Sequence, residues 1–150
     1  MSVQARQDNT NKTLIKSGET YVRNADIKQN AGRTTPLLPY TVMALNATSR
    51  LWVPFTSLVA TNGESVPRGI YMGDTILAAD LVAGNVEDKP ILMGGCCTID
   101  ENMIVWDDDT LNEDSIVNPT NIEARTAREA LAQASGIFFE DTIDISEFEN

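Results

Sequence analysis

Short apolar runs alternate with turn-forming residues along most of the chain from residue 34 onward. This pattern is typical of a protein built from many short β-strands. Residues 76–82 are apolar but rich in small side chains, so they are compatible with a strand or with a single helical turn. Pro54 is expected on an edge strand or at a strand end, because proline cannot donate a ladder hydrogen bond. The predicted strands cover residues 37–55, with a turn at 46–49, and residues 69–72, 91–93 and 103–106.

One helix is predicted late in the chain. Thr120-Asn121-Ile122-Glu123 has the form of a capping box, and Gly136 is well placed to end the helix. Residues 137–139 and 142–145 then predict a closing strand pair or one bent strand. The chain is therefore predicted to be mainly β, a compact α+β domain with one late helix. The apolar positions at helical spacing are Ile122, Ala127, Ala130, Leu131 and Ala134.

Residues 1–33 differ from the rest of the chain in composition and in charge. They are rich in Asn, Gln, Thr, Lys and Ser, and they carry six Lys/Arg against three Asp/Glu, whereas the remainder carries five against 19. A polar, basic segment of this kind stays disordered or becomes ordered on a partner. We therefore predict a flexible basic N-terminal arm over residues 1–33, attached to an acidic body over residues 34–150.

Composition argues against several classes of function. The chain has no histidine, which removes Ser-His and Cys-His activation of a nucleophile. The acidic body would repel phosphates, so no nucleic-acid partner is expected. No apolar run reaches the length of a membrane span, and the first residues lack the apolar stretch of a signal peptide.

The adjacent Cys96 and Cys97 are poorly placed to bridge each other, which fits a reducing compartment. We therefore predict that the protein is not an enzyme, that it binds no cofactor and that it has no membrane partner.

Three features could carry chemistry, and each has a simpler interpretation. Asp107-Asp108-Asp109 offers oxygen ligands for a divalent cation, but it lacks the spacing of an EF-hand loop, so a solvated turn is favoured and no metal site is predicted. Gly94-Gly95-Cys96-Cys97 has no neighbouring base and is predicted to form a tightly packed turn. Trp52 and Trp106 could stack on a ligand, but such residues more often anchor a core.

Several short motifs follow one another in order from residue 34 onward. They are Thr35-Pro36-Leu37, Ser49-Arg50-Leu51, Gly69-Ile70, Ala78-Ala79-Asp80, Thr98-Ile99, Ile104-Val105-Trp106, Arg125-Thr126-Ala127, Gly136-Ile137 and Thr142-Ile143-Asp144-Ile145. This order resembles that of the head decoration proteins of tailed phages, the family of the lambda head protein D. The resemblance covers most of the chain, and it rests on the order of the motifs because no single motif is specific.

The resemblance implies a non-enzymatic virion protein with a compact β-clip body. Such a protein is made in the host cytoplasm and binds the outer surface of the expanded capsid. Three copies, a homotrimer, would sit at three-fold and quasi-three-fold positions, bind the major capsid protein and stabilise the head against DNA pressure. A flexible N-terminal arm would become ordered on the capsid protein.

The candidate capsid-binding residues lie in and just after the arm. Thr20-Tyr21-Val22-Arg23 is its most β-prone stretch and forms the candidate docking strand. Positive charges of the arm could meet acidic groups of the capsid protein. The acidic body leaves one alternative open, an intracellular adaptor or regulator that binds a basic protein. The complete candidate set is Thr20, Tyr21, Val22, Arg23, Lys28, Arg33, Thr35 and Pro36.

Overall fold

The computed structural model describes residues 14–108, residue 111 and residues 122–140. These residues form a mainly β structure with one long helix late in the chain, which confirms the predicted α+β class. The elements are β1 (Ile15–Ile27), β2 (Val42–Leu45), β3 (Trp52–Pro54), β4 (Pro67–Tyr71), α1 (Ala78–Ala83), β5 (Val86–Asp100), a 3₁₀ turn (Glu101–Met103), α2 (Ile122–Ser135) and β6 (Ile137–Glu140).

Five of the strands form a closed ring. Their order is β1-β3-β2-β4-β5, and β5 pairs again with β1, so the pairing returns to its starting point. Neighbours in the ring are antiparallel except for β1 and β3, which are parallel and meet at Ile27 and Trp52. β6 lies outside the ring and runs parallel to residues 97–100 of β5.

Successive residues of β2 face two different cores, because the side chains of a strand alternate between its two faces. Met43 of β2 faces an inner core to which every ring strand contributes, while its neighbours Val42 and Ala44 face an outer core against α2. Leu81 of α1 packs into the inner core, so this short helix covers part of the ring. The buried residues of the inner core are Ile27, Leu37, Met43, Trp52, Tyr71, Ile76, Leu81 and Ile91.

Both tryptophans are buried, as the sequence predicts. Trp52 belongs to the inner core and Trp106 to the outer core. The Trp106 ring meets Phe55 edge to face at 6.1 Å, and the Arg128 guanidinium lies 5.2 Å from its centroid. Trp106 therefore packs simultaneously against an aromatic ring and a cation.

Helix α2 confirms the late helix, and Gly136 ends it in the left-handed region with a φ of 67°. Its buried face differs in part from the predicted one. Ala127 and Leu131 are buried, but Ile122 is 70% exposed and Arg128 is buried instead. Helical spacing of apolar residues does not predict that Arg128 is buried, because arginine is charged. Its guanidinium is buried through contacts with Trp106 and Glu101, which lie outside the helix. Thr120 and residues 142–145 lie outside the described residues.

The predicted turn at residues 94–97 is wrong, because β5 runs straight through it. Gly94 and Gly95 have φ values of 152° and 117°, which side-chain-bearing residues rarely adopt. A Cβ on Gly95 would collide with the carbonyl of Glu19 in β1, and a Cβ on Gly18 with that of Cys96. The glycines therefore allow β1 and β5 to approach closely at an irregular part of their ladder.

Two other local predictions are decided by the structure. The strand expected at residues 103–106 is absent from the described residues, because the Asp100 carboxylate accepts from the Asn102 N–H and starts a 3₁₀ turn. Only an isolated bridge remains there, between Val105 and Thr41. The apolar stretch at 76–82 takes its helical alternative and contains most of α1.

The largest correction concerns the N-terminal segment. Ile15–Ile27 forms the thirteen-residue strand β1, which pairs with β5 along nearly its whole length. Leu14 and Ile27, at its two ends, are buried. The prediction of a flexible arm is therefore wrong for this stretch. The polar composition misled the prediction because the middle of β1 is exposed although it is hydrogen-bonded.

Candidate functional site

Strand β1 carries the first part of the candidate surface. Every residue from 16 to 24 is exposed, so neither face of this stretch is covered by a core. Tyr21 and Val22 are 48% and 44% exposed. Because successive side chains of a strand point to opposite faces, these two residues present apolar area on both sides of β1.

One edge of β1 is also open. β5 pairs with one side of the strand, and in the described part of the chain the other side is paired only at Ile27, with Trp52. A strand edge of this kind presents N–H and C=O groups to which another chain can add as a further strand. The candidate docking strand 20–23 lies in the middle of this open stretch.

The Arg23 side chain is held beside Tyr21. Its Nη1 donates to the Tyr21 hydroxyl at 3.0 Å, and its guanidinium carbon lies 5.9 Å from the ring centroid. Residues at i and i+2 of a strand share one face, which explains the contact. Tyr21 and Arg23 therefore form one exposed unit that combines an aromatic surface with a positive charge.

The second part of the candidate surface is the end face, defined here as residues 28–38 together with residues 76–82. The two segments lie side by side. The Asn30 N–H donates to the Leu81 carbonyl at 2.9 Å, and Gln29 Nε2 donates to the Val82 carbonyl at 2.6 Å. Further along, Leu37 and Ile76 exchange both backbone hydrogen bonds.

Arg33 fixes the middle of the end face. Its Nη1 and Nη2 donate to the two carboxylate oxygens of Asp107 at 2.6 and 2.9 Å, a bidentate pair. Nε donates to the Thr35 carbonyl at 2.7 Å and Nη2 also donates to the Pro36 carbonyl at 3.0 Å. The Arg33 side chain is only 7% exposed. Arg33 therefore serves an internal contact, and its predicted role as a free charge toward a capsid protein is corrected.

The same pair bears on the acidic cluster at 107–109. Asp107 uses both carboxylate oxygens on Arg33, while Asp109 lies outside the described residues. No group of three or more Cys, Asp or Glu side chains suited to a metal ion occurs within residues 14–108, 111 and 122–140. The structure therefore assigns Asp107 to an ion pair that holds the end face.

Two clefts adjoin the Arg33–Asp107 pair. One is a polar cleft of about 280 Å³ and the other an apolar cleft of about 380 Å³, and Asp107 lines both. The polar cleft is lined by Lys28, Gln29, Asn30, Arg33, Val53, Pro54, Thr56, Glu64 and Asp107. The apolar cleft is lined by Thr35, Pro36, Leu38, Thr41, Val105, Trp106 and Asp107.

The eight candidate residues fall on two neighbouring surfaces. Residues 20–23 lie on β1, whereas Lys28, Arg33, Thr35 and Pro36 lie on the end face and line its clefts. Sequence reasoning missed the exposed apolar side chains of the end face, Leu38, Leu77 and Val82. The apolar run at 76–82 gave no signal that only some of its residues, such as Ile76 and Leu81, point inward.

The two cysteines differ in environment. Cys96 is exposed and Cys97 is buried, and both thiols are free. Burial, and then the neighbouring Cys96, raise the pKa of the Cys97 thiol above its ordinary value. A buried thiol with a raised pKa is a poor nucleophile at neutral pH. Cys97 therefore packs as the small apolar residue that the sequence predicts, whereas the exposed Cys96 does not.

No family model matches the chain, and no curated protein matches it. No helix within the described residues is long and apolar enough to cross a membrane.

Proposed function

We propose that this chain is a capsid decoration protein that binds the outer surface of an expanded phage head. The exposed, open-edged stretch of β1 is the observation that carries the proposal. The order of motifs from residue 34 onward and the mainly β fold agree with it. The partner is the major capsid protein, and no chemical reaction is involved.

The exposed stretch of β1 binds as a preformed strand. A segment of the capsid protein adds to its open edge, so main-chain hydrogen bonds supply affinity while Tyr21 and Val22 contact surfaces on either side. Because β1 is already held by β5, the entropy loss on docking is smaller than for a segment that must become ordered. This replaces the mode expected from the sequence, in which a flexible arm becomes ordered on the shell.

Three copies bind around each three-fold or quasi-three-fold position of the head. A homotrimer of this kind links neighbouring capsid subunits, so that outward pressure from the packaged DNA is shared among several contacts. Linked binding sites also strengthen weak individual contacts through their high effective concentration. The stabilisation of the head follows from this multivalent clamp.

The test is electron microscopy of the full chain mixed with expanded, undecorated heads of the phage that encodes it. We expect added density with three-fold symmetry on the outer surface, together with greater resistance of the heads to heat or chelators. Heads before expansion serve as the control and should bind little. An outer surface without added density, or density with two-fold or single-copy symmetry, would contradict the proposal.

A further inference from the structure

We propose that a second copy of this chain covers the open edge of β1 in solution. The two β1 strands pair antiparallel about a two-fold axis at Tyr21, so the same residues of both copies form the interface. This pairing needs no capsid protein and is therefore independent of the proposed function.

The open stretch of β1 is preformed and is centred on Tyr21. Every residue from 17 to 25 is matched with β5 or lies within that ladder, so the stretch is already extended and loses little conformational entropy when another strand is added. In the described part of the chain, the outer edge is paired only at Ile27, with Trp52 of β3. A two-fold axis at Tyr21, the midpoint of residues 17–25, uses this whole stretch and ends before β3.

The charges of this stretch are complementary to those of an antiparallel copy. When Tyr21 lies opposite Tyr21, Glu19 of each copy lies opposite Arg23 of the other, because both are two residues from the axis. Both side chains are exposed. Opposite charges directly across an antiparallel pair stabilise it, whereas like charges destabilise it. An edge protected against pairing would instead repel its own copy.

Neighbouring registers lack this complementarity. Alternate residues of a strand direct their N–H and C=O groups to the same edge, so the two-fold axis must pass through a residue. An axis at Thr20 places Glu19 opposite Tyr21, and an axis at Val22 places Arg23 opposite Tyr21. Axes at Glu19 or Arg23 place that charge opposite itself. The Tyr21 register is therefore the favourable one among the central positions of the stretch.

The exposed apolar side chains of β1 fit the same register. Glu19, Tyr21 and Arg23 share one face, so the two Tyr21 rings meet at the axis between two Glu19–Arg23 pairs. On the other face, Val22 lies opposite Thr20 of the second copy. Tyr21 and Val22 are 48% and 44% exposed in the single chain, and cross-strand contacts of this kind stabilise a pair of strands.

Lys16 and Asp26 are also opposite each other in this register, but each already has a contact within its own copy. Lys16 Nζ lies 3.8 Å from an Asp100 carboxylate oxygen, and Asp26 Oδ1 accepts from the Asp88 N–H at 3.1 Å. The Glu19–Arg23 pairs are therefore the ones that report on the register.

The experiment measures sedimentation equilibrium of the full chain over a range of concentrations, where we expect a monomer–dimer equilibrium. Glu19→Arg or Arg23→Glu alone places like charges opposite each other at two positions and should weaken the dimer about tenfold or more. An equimolar mixture of these two variants restores opposite charges at both positions and should dimerise about as tightly as the unmodified chain. Glu129→Arg, at an exposed position of α2, is the matched control and should not weaken the dimer.

An unmodified chain that is monomeric at every concentration would overturn the inference. So would single reversals that dimerise as tightly as the unmodified chain, or a mixture no tighter than its separate components. Expanded heads provide the separate readout for the proposed function, because an edge paired with a second copy must be released before a capsid segment can bind it. Dimers without decoration would refute the proposed function and leave the self-pairing standing, and decoration by a chain that never dimerises would do the reverse.

Discussion

Strands β1 and β2 belong to the same ring but differ in how many of their residues are buried. β2 has four residues, of which the first three are fully buried, whereas β1 has thirteen and exposes every residue from 16 to 24. Hydrogen-bonded pairing and core burial are therefore separate properties here. β1 is anchored at its ends by Leu14 and Ile27, and its middle is left as surface. The stability of the molecule should depend on the β2 side, and its binding on β1.

The largest expected effect lies in the core that β2 shares. Trp106→Ala removes a buried ring that packs on Phe55 and Arg128, so it should lower the free energy of unfolding by about 3–5 kcal/mol. Denaturant unfolding measures this loss. Val59→Ala is the control, because Val59 is 86% exposed and its truncation should change stability by less than about 0.5 kcal/mol. Equal stability of the two variants would show that Trp106 contributes no more to the core than an exposed side chain.

The second effect tests how closely β1 and β5 approach. Gly95→Ala forces a side chain into a positive φ and against the Glu19 carbonyl, so it should cost about 3 kcal/mol. Thermal unfolding should show the loss. At Gly32, by contrast, an added Cβ would meet only Asn30 Oδ1 at 3.7 Å, and Gly32→Ala should change little. If the Gly95→Ala protein were as stable as the Gly32→Ala protein, β1 and β5 would not approach each other closely at Gly95.

The third effect compares the stability contributions of Arg33 and Arg23, both of which are expected from the sequence to bind the capsid protein. Arg33→Gln removes the partner of a partly buried carboxylate and should lower the free energy of unfolding by about 1.5–3 kcal/mol. Arg23→Gln affects only an exposed contact with Tyr21 and should stay within about 0.5 kcal/mol. The comparison is made by denaturant unfolding at neutral pH. Similar losses for both would show that the end face is not held by Arg33.

The sequence predicted what depends on local pattern. Most of the short strands, the α2 helix with its Gly136 end and the two buried tryptophans follow from apolar spacing and turn chemistry and are found, whereas the strand predicted at residues 103–106 is not. It did not predict what depends on distant partners. Nothing near residues 15–27 shows that β5 will pair with them, and nothing near Gly94-Gly95 shows that a strand will cross there.

In the candidate site, too, features that depend on local pattern were predicted and features that depend on distant residues were not. Tyr21, Val22 and Arg23 were identified from β-propensity and charge, and the structure places them on exposed strand. The partner of Arg33 lies 74 residues away, so its use in an internal ion pair had no local signal. The clefts were missed because they form only where residues 28–38 meet residue 107.

The smallest expected effect on stability belongs to β1 itself. The double change Tyr21→Ala and Val22→Ala removes two side chains that are about half exposed, so the free energy of unfolding should change by at most about 1 kcal/mol. Thermal and denaturant unfolding check this against the unmodified chain. A loss as large as that of Trp106→Ala would show that the middle of β1 is part of the core after all.

The occupancy of expanded heads, measured by cryo-electron microscopy, shows whether the exposed stretch of β1 binds the shell. The unmodified chain, the β1 double variant and Val59→Ala are compared at equal concentration on the same undecorated heads. We expect full occupancy for the unmodified chain and for Val59→Ala, and a loss of most occupancy for the double variant while it remains folded. Equal occupancy for all three would show that the exposed stretch of β1 does not bind the shell.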